Sequence, residues 1–311
     1  MICVVSPNPC MDLTINLEEM NLGELNRISG IKKDLSGKGI NVAISARRLG
    51  YGSEVVGFMS YGNAAVYNEY ISNEGVYSDF VYFDGEVRTN IKLFETGANR
   101  LTEINEKGTP VTHEMVAELI ELTEQHMNEA DLLVLAGSLP PECGDDFYAD
   151  LIEIANLKGI RCVLDSDGAP LLSGVKRRPY MIKPNKAELS MAVGRELDTV
   201  EDILLAADHF INMGVGVVVV SLGAEGGIIS DGRTAYLAKT PKLDVKSTIG
   251  AGDSMVAAMC ISLINKQPID KVLSYGIAAG SAACITEGTE LFHSDDVKAL
   301  LPRIKVTKIR G

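Results

Sequence analysis

The residues best suited to chemistry are Gly250, Ala251, Gly252 and Asp253, which lead into the run Met255 to Ile264, apolar except for Ser262. That run contains good helix formers and neither Gly nor Pro, and it predicts a buried helix starting near Gly252. The two glycines let the chain turn sharply and bring backbone N–H groups close to a ligand. Free N–H groups and the positive end of the dipole make a helix start attractive to phosphate. Asp253 then either stands where a phosphoryl group would sit or serves as the helix cap.

Two commoner phosphate motifs are not matched. No stretch supplies the Gly-x-x-x-x-Gly-Lys-Ser/Thr of a P-loop. Gly250 and Gly252 begin like a dinucleotide fingerprint, but Met255 stands where the third Gly belongs, which disfavours a nicotinamide oxidoreductase.

Other segments carry candidate ligand groups. Ser36-Gly37-Lys38-Gly39-Ile40-Asn41 runs into a helix with the apolar stripe Val42, Ala43, Ala46 and Leu49, stopped by Gly50. It reads either as a second close-approach loop aiming Lys38 and Asn41 at a polar ligand, or as a glycine-rich turn bearing a solvated lysine. Arg88, Asn90 and Lys92 alternate with apolar residues over 88–94 and share one strand face. That face either meets water or floors a binding site.

The elements that must position these residues follow from periodicity. From residue 112 onward, helices over 112–128, 145–158, 169–175 and 200–213 alternate with apolar strands over 131–135, 161–164, 180–182 and 216–221. Such alternation predicts an α/β fold whose mostly parallel central sheet carries helices on both faces. Ligands of such sheets gather beyond the carboxyl ends of the strands, where Gly137, Asp165, Asn185 and Ser221 fall. Strands over 2–6 and 54–58 and a helix over 63–73 belong to the same layers, as do a strand pair over 228–230 and 234–237 and an Ala-rich helix over 271–286. Leu13, Ile15 and Leu17 alternate with polar residues as in a half-exposed strand, and 101–105 is the hairpin partner of 88–94. The segments from approximately 12–35 and 87–105 are therefore expected to form a small β-sheet lid on a single domain spanning 1–311.

Composition narrows the function. Acidic residues outnumber basic ones by 42 to 29, and the formal charge of −13 disfavours a nucleic-acid partner. A hydrophobic content of 46% supports a large core. The six cysteines form no Cys-x-x-Cys pair, and the four histidines are isolated, so neither a His-based zinc site nor a Cys–His nucleophile is suggested. Pro7 and Pro9 break the first apolar run, and no run of about 20 apolar residues occurs, so no signal peptide or membrane partner is expected and the location is expected to be cytoplasmic.

Asp12, Ser-Gly-Lys-Gly-x-Asn at 36–41, Gly-Ser-Leu-Pro at 137–140, Lys-Pro-Asn-x-x-Glu at 183–188, Ser-x-Gly-x-x-Gly at 221–226 and Thr-Ile-Gly-Ala-Gly-Asp at 248–253 occur in that order. In this the chain resembles the ribokinase-like (PfkB) carbohydrate kinases over nearly its whole length. It is most similar to the phosphosugar branch that includes 1-phosphofructokinase and tagatose-6-phosphate kinase. The resemblance implies ATP-dependent, magnesium-assisted phosphorylation of a phosphorylated ketohexose, foremost fructose 1-phosphate, with tagatose-6-phosphate kinase or 6-phosphofructokinase as alternatives. A catalytically silent sugar-phosphate sensor is the alternative of another class.

The resemblance also assigns roles. It makes Asp253 the catalytic base, with Gly250, Ala251 and Gly252 as the anion hole. Asn185 and Glu188 are expected to organise the magnesium ion through water; Lys183, Ser221, Gly223 and Gly226 serve the nucleotide. Asp12, Gly37, Lys38, Gly39, Asn41 and Asn90 fall to the sugar, and Arg88 to its phosphate. The family usually has Gly where Ser36 stands. A homodimer joined through the lid is expected, because the alternating strands leave one lid face uncovered and this branch commonly dimerises so.

Overall fold

The computed structural model describes residues 1–286 and 290–311. Its main sheet has ten strands, and seven of them are parallel neighbours: β5 (Tyr77–Phe83), β4 (Ser53–Ser60), β1 (Ile2–Ser6), β8 (Leu132–Ala136), β9 (Cys162–Asp165), β10 (Met181–Ile182) and β11 (Val217–Ser221). The sheet continues antiparallel through β12 (Gly227–Ser230), β13 (Ala235–Lys239) and β14 (Lys305–Arg310).

The strands are buried on both sides, so their side chains divide by parity between two cores. Ile2 and Val4 join one apolar cluster while Cys3 and Val5 join the other. The first cluster is completed by α1 (Lys38–Arg48), α2 (Ala64–Asn73), α8 (Ala251–Ile264), α9 (Ile269–Cys284) and α10 (Ser294–Leu300). The second is completed by α3 (His113–Met127), α4 (Phe147–Leu157), α5 (Gly168–Val175), α6 (Lys186–Val193) and α7 (Val200–Asn212). The expected three-layer architecture is therefore present. Helix α1 departs from the stripe read in its sequence, since Gly39 through Ala46 are all buried. It is packed on every side between β1, β4 and α8. Gly39 permits this, because a Cβ there would meet the Ser6 Cβ at 2.5 Å.

A second sheet joins β2 (Cys10–Leu17), β3 (Gly30–Ser36), β6 (Arg88–Glu95) and β7 (Arg100–Asn105) in the order β3-β2-β6-β7. Its polar face is the one turned toward the main sheet, inverting the usual rule for a half-buried strand. Asp12, Asn90 and Lys92 are buried, at 2%, 8% and 6% exposure. The alternate positions Leu13, Ile15, Ile91 and Leu93 fall on the opposite face, beside Ile31 and Ile104, which are each 54% exposed. No helix among the described residues is long and apolar enough to cross a membrane.

Candidate active site

A cavity of about 1310 Å³ lies between the second sheet and the carboxyl ends of the parallel strands. Strand register assembles its floor. Ala136 pairs with Asp165, Ile182 with Leu164, and a parallel bridge joins Asn185 to Ser221, so four consecutive strand ends open on one side.

Asp253 stands in the first turn of α8 and is 7% exposed. It is not the helix cap. That position belongs to Gly250, whose φ of 70° is left-handed and which offers no side chain to the helix N–H groups. The Asp253 carboxylate instead accepts a 2.8 Å hydrogen bond from Asn41 Nδ2 on α1. Burial pushes its pKa up to about 6, opposed by the Lys38 ammonium and reinforced by Asp165. The group is a carboxylate at neutral pH and holds its charge at the start of a helix.

With the folded pKa raised, the stabilising contribution is full below the unfolded value and is lost as pH rises through about 6. Charging the buried carboxylate therefore costs the fold on the order of 3 kcal/mol at pH 7–8. Asp253→Asn is expected to raise the melting temperature there, with the gain vanishing near pH 4. Equal gains at both pH values would show that charge burial is not the cause.

Lys38 and Lys183 approach Asp165 Oδ1 at 3.9 and 3.3 Å. Asp165 is 1% exposed, and neither of its carboxylate oxygens has a hydrogen bond. It holds the Lys38 ammonium protonated well above its usual range. Asn41 Oδ1 is likewise buried without a partner. Orphaned acceptors of this kind in a cavity are where a cation with its waters, or a substrate hydroxyl, finds its ligands.

Asn185 and Glu188 form a capping box on α6: Asn185 Oδ1 accepts from the Glu188 N–H at 2.8 Å, and Glu188 Oε2 from the Asn185 N–H at 2.7 Å. This fixes both side chains at the cavity wall and leaves Glu188 Oε1 available. No group of three or more His, Cys, Asp or Glu among the described residues is arranged to hold a metal alone.

On the second sheet, Asp12 is gripped by Lys92 Nζ at 2.7 Å and Asn90 Nδ2 at 3.2 Å. Arg88 donates through Nε to the Asn8 carbonyl, and through Nη1 to the Glu106 carbonyl and Asn90 Oδ1, each at 3.2 Å. Its Nη2 donors remain for a ligand.

Of the residues picked out in the sequence, Asp12, Lys38, Asn41, Arg88, Asn90, Lys183, Asn185, Glu188, Ser221, Gly250, Gly252 and Asp253 line this one cavity. Gly37 precedes α1, Gly39 lies in its first turn against Ser6, and Ala251 opens α8 without lining the cavity. Gly223 and Gly226 sit apart on the turn between β11 and β12, where a Cβ at Gly226 would strike the Ala238 carbonyl. Lys92 and Asp165 also line the cavity, Lys92 on the strand face that could floor a site and Asp165 at a strand's carboxyl end, although the sequence assigns neither a specific role.

The pfkB family carbohydrate kinases match residues 4–295. The chain belongs to the pfkB family of carbohydrate kinases. Among its relatives, the 1-phosphofructokinase of Bacillus subtilis is 32% identical over 311 residues, covering 99% of this chain and 100% of that protein. The 1-phosphofructokinase of Rhodobacter capsulatus is 35% identical over 261 residues, covering 83% and 82% of the two chains. The crystal structure of phosphofructokinase-2 from Escherichia coli in complex with substrates and products superposes with a TM-score of 0.88 at 28% identity, covering 97% of this chain and 98% of that one. As a member of this family the chain is a phosphotransferase with an alcohol acceptor.

Proposed function

We propose that the chain transfers the terminal phosphoryl group of ATP to the free primary hydroxyl of fructose 1-phosphate, giving fructose 1,6-bisphosphate and ADP. The observation that carries this reading is Asp253, a buried carboxylate held by Asn41 in the first turn of α8 at the cavity wall. Full-length relatives that are 1-phosphofructokinases support the choice of sugar.

ATP supplies the phosphoryl group, and magnesium offsets the charge on its phosphates. The chain's residues do the rest. Asp253 accepts the proton of the attacking hydroxyl as the new O–P bond forms, because a carboxylate of pKa about 6 cannot ionise an alcohol beforehand. The N–H groups at Gly250 and Gly252 face the charge developing on the transferred group, while that of Ala251 donates to the Thr248 carbonyl at 3.4 Å. Lys183, whose Nζ lies 3.6 Å from where a Cβ on Gly252 would sit, adds a fixed positive charge beside them.

Asp12, oriented by Lys92 and Asn90, accepts sugar hydroxyls. Lys38 and Arg88 take the substrate's own phosphate. Ser221, Gly223 and Gly226 border the nucleotide, and Asn185, Glu188 and Asp165 would hold the magnesium ion that neutralises its phosphates. The second sheet acts as the lid that closes the cavity from above. The six free cysteines suit the reducing cytoplasm. A coupled ADP-release assay across fructose 1-phosphate, fructose 6-phosphate, tagatose 6-phosphate and free fructose tests the reading. The highest kcat/KM is expected on fructose 1-phosphate; no ADP release on any of them would leave a binding protein without turnover.

A homodimer follows from the outer face of the lid. Cross-strand register places Ile31, Ile15 and Leu93 in one row and Leu13, Ile91 and Ile104 in the next, an apolar patch without cover in a single chain. Light scattering at micromolar concentration is expected to give the mass of two chains, and Ile91→Asp that of one. A fully active wild-type monomer would contradict the pairing.

A further inference from the structure

Helix α1 is buried over most of its length, yet it carries polar side chains at positions 41, 45 and 48, a spacing that puts them on one face. All three lead to the start of α8. Asn41 holds Asp253, as described. Ser45 Oγ lies 3.3 Å from Ser254 Oγ, the next residue along. Arg48 ends the row.

Its guanidinium is committed in two directions. Nε and Nη2 grip the Glu74 carboxylate at 2.9 and 2.5 Å. Nη1 donates to the Phe292 carbonyl at 3.2 Å and also to the Glu290 carbonyl. Those two carbonyls flank Leu291, which is 1% exposed and has a φ of 57°. A left-handed backbone is costly for a residue with a branched side chain and persists only where its surroundings enforce it. What the strain achieves is visible at Gly250. A Cβ added there would come within 2.5 Å of Leu291 Cδ2, so the leucine side chain covers the left-handed cap of α8.

We infer that Arg48 is a positioning residue for phosphoryl transfer: through the carbonyls of Glu290 and Phe292 it holds Leu291 against Gly250 and so fixes the first turn of α8. Arg48 is absent from the cavity wall, and its charge is matched by Glu74, so it acts on no ligand directly. Helix α1 thereby joins Lys38, its first residue, to the support of the anion hole at its other end. The inference rests on the proposed role of Gly250 to Asp253.

Three variants separate positioning from simple bracing. Arg48→Met removes every contact of the guanidinium. Leu291→Gly relieves the backbone strain but deletes the side chain over Gly250. Glu74→Gln weakens the ion pair while leaving the donors to both carbonyls.

The first two are expected to lower kcat about tenfold or more with the KM for fructose 1-phosphate within about twofold. Glu74→Gln is expected to keep kcat within about twofold despite a loss of thermal stability. Amide hydrogen exchange of the unliganded protein over residues 248–255 should quicken by about tenfold in the first two and not in the third. An unchanged exchange rate in folded Arg48→Met, or equal effects in Glu74→Gln, overturns the inference. The exchange measurement needs no kinase activity. Failure of the wild type to phosphorylate any sugar would therefore defeat the functional reading, while exchange still decides the coupling.

Discussion

Asp253→Asn is expected to cut kcat by a factor of about 10² or more, with ATP affinity nearly unchanged. Asparagine keeps the shape, and its side-chain oxygen still accepts the hydrogen bond from Asn41 Nδ2. It has no charge and cannot take the proton of the incoming hydroxyl. The same substitution is expected to stabilise the fold at neutral pH, since it removes a buried charge. Opposite signs on turnover and stability are the signature of a residue kept for chemistry. A variant with near wild-type turnover would return Asp253 to a structural role.

The second large effect concerns the substrate's phosphate. The chain carries a formal charge of −13, so a sugar phosphate needs a local cationic site. Arg88 is fixed by the Asn8 and Glu106 carbonyls, with its Nη2 donors to spare. Lys38 projects into the cavity beside Asp165. Arg88→Ala and Lys38→Ala should each cost about 1.5–3 kcal/mol of phosphate recognition, or roughly one to two decades in kcat/KM for fructose 1-phosphate. Free fructose should lose far less on Arg88→Ala. Lys38→Ala should in addition raise the pKa of Asp253, because the Lys38 charge is the largest influence holding it down. Unchanged preference for the phosphorylated sugar would remove both residues from that role.

The parts of this architecture legible in the sequence are those governed by local rules. Apolar strands alternating with periodic helices gave the parallel sheet and its two helical layers, and the ends of those strands held Asp165, Asn185 and Ser221. Elements without such a signal went unread. Strand β5 contains Ser78 and Asp79 and lies at the sheet edge, so its alternation is blurred. Strand β14 is also an edge, with Lys305 and Lys308 exposed, and α10 is only 7 residues long. Helix α6 has only a short apolar pattern, and the spacing of Asn185 and Glu188, which suits ligand groups, is also that of the capping box that starts it.

Within the site, the contacts that matter are long-range. Lys92 lies on a polar strand face in the sequence, but only the parallel register of β6 with β2 brings it to Asp12. The grip of Asn41 on Asp253 spans 212 positions, and that of Arg48 on the Phe292 carbonyl spans 244. No periodicity encodes such contacts.

The central claim is that a phosphoryl group passes from ATP to a hydroxyl of fructose 1-phosphate at Asp253. Phosphorus NMR of the protein with ATP, magnesium and fructose 1-phosphate follows that transfer atom by atom. The account predicts a second phosphomonoester signal on the sugar, growing as the terminal phosphate of ATP is lost, and its suppression in Asp253→Asn. Release of inorganic phosphate without a new sugar ester, or an undiminished ester signal in Asp253→Asn, would contradict it.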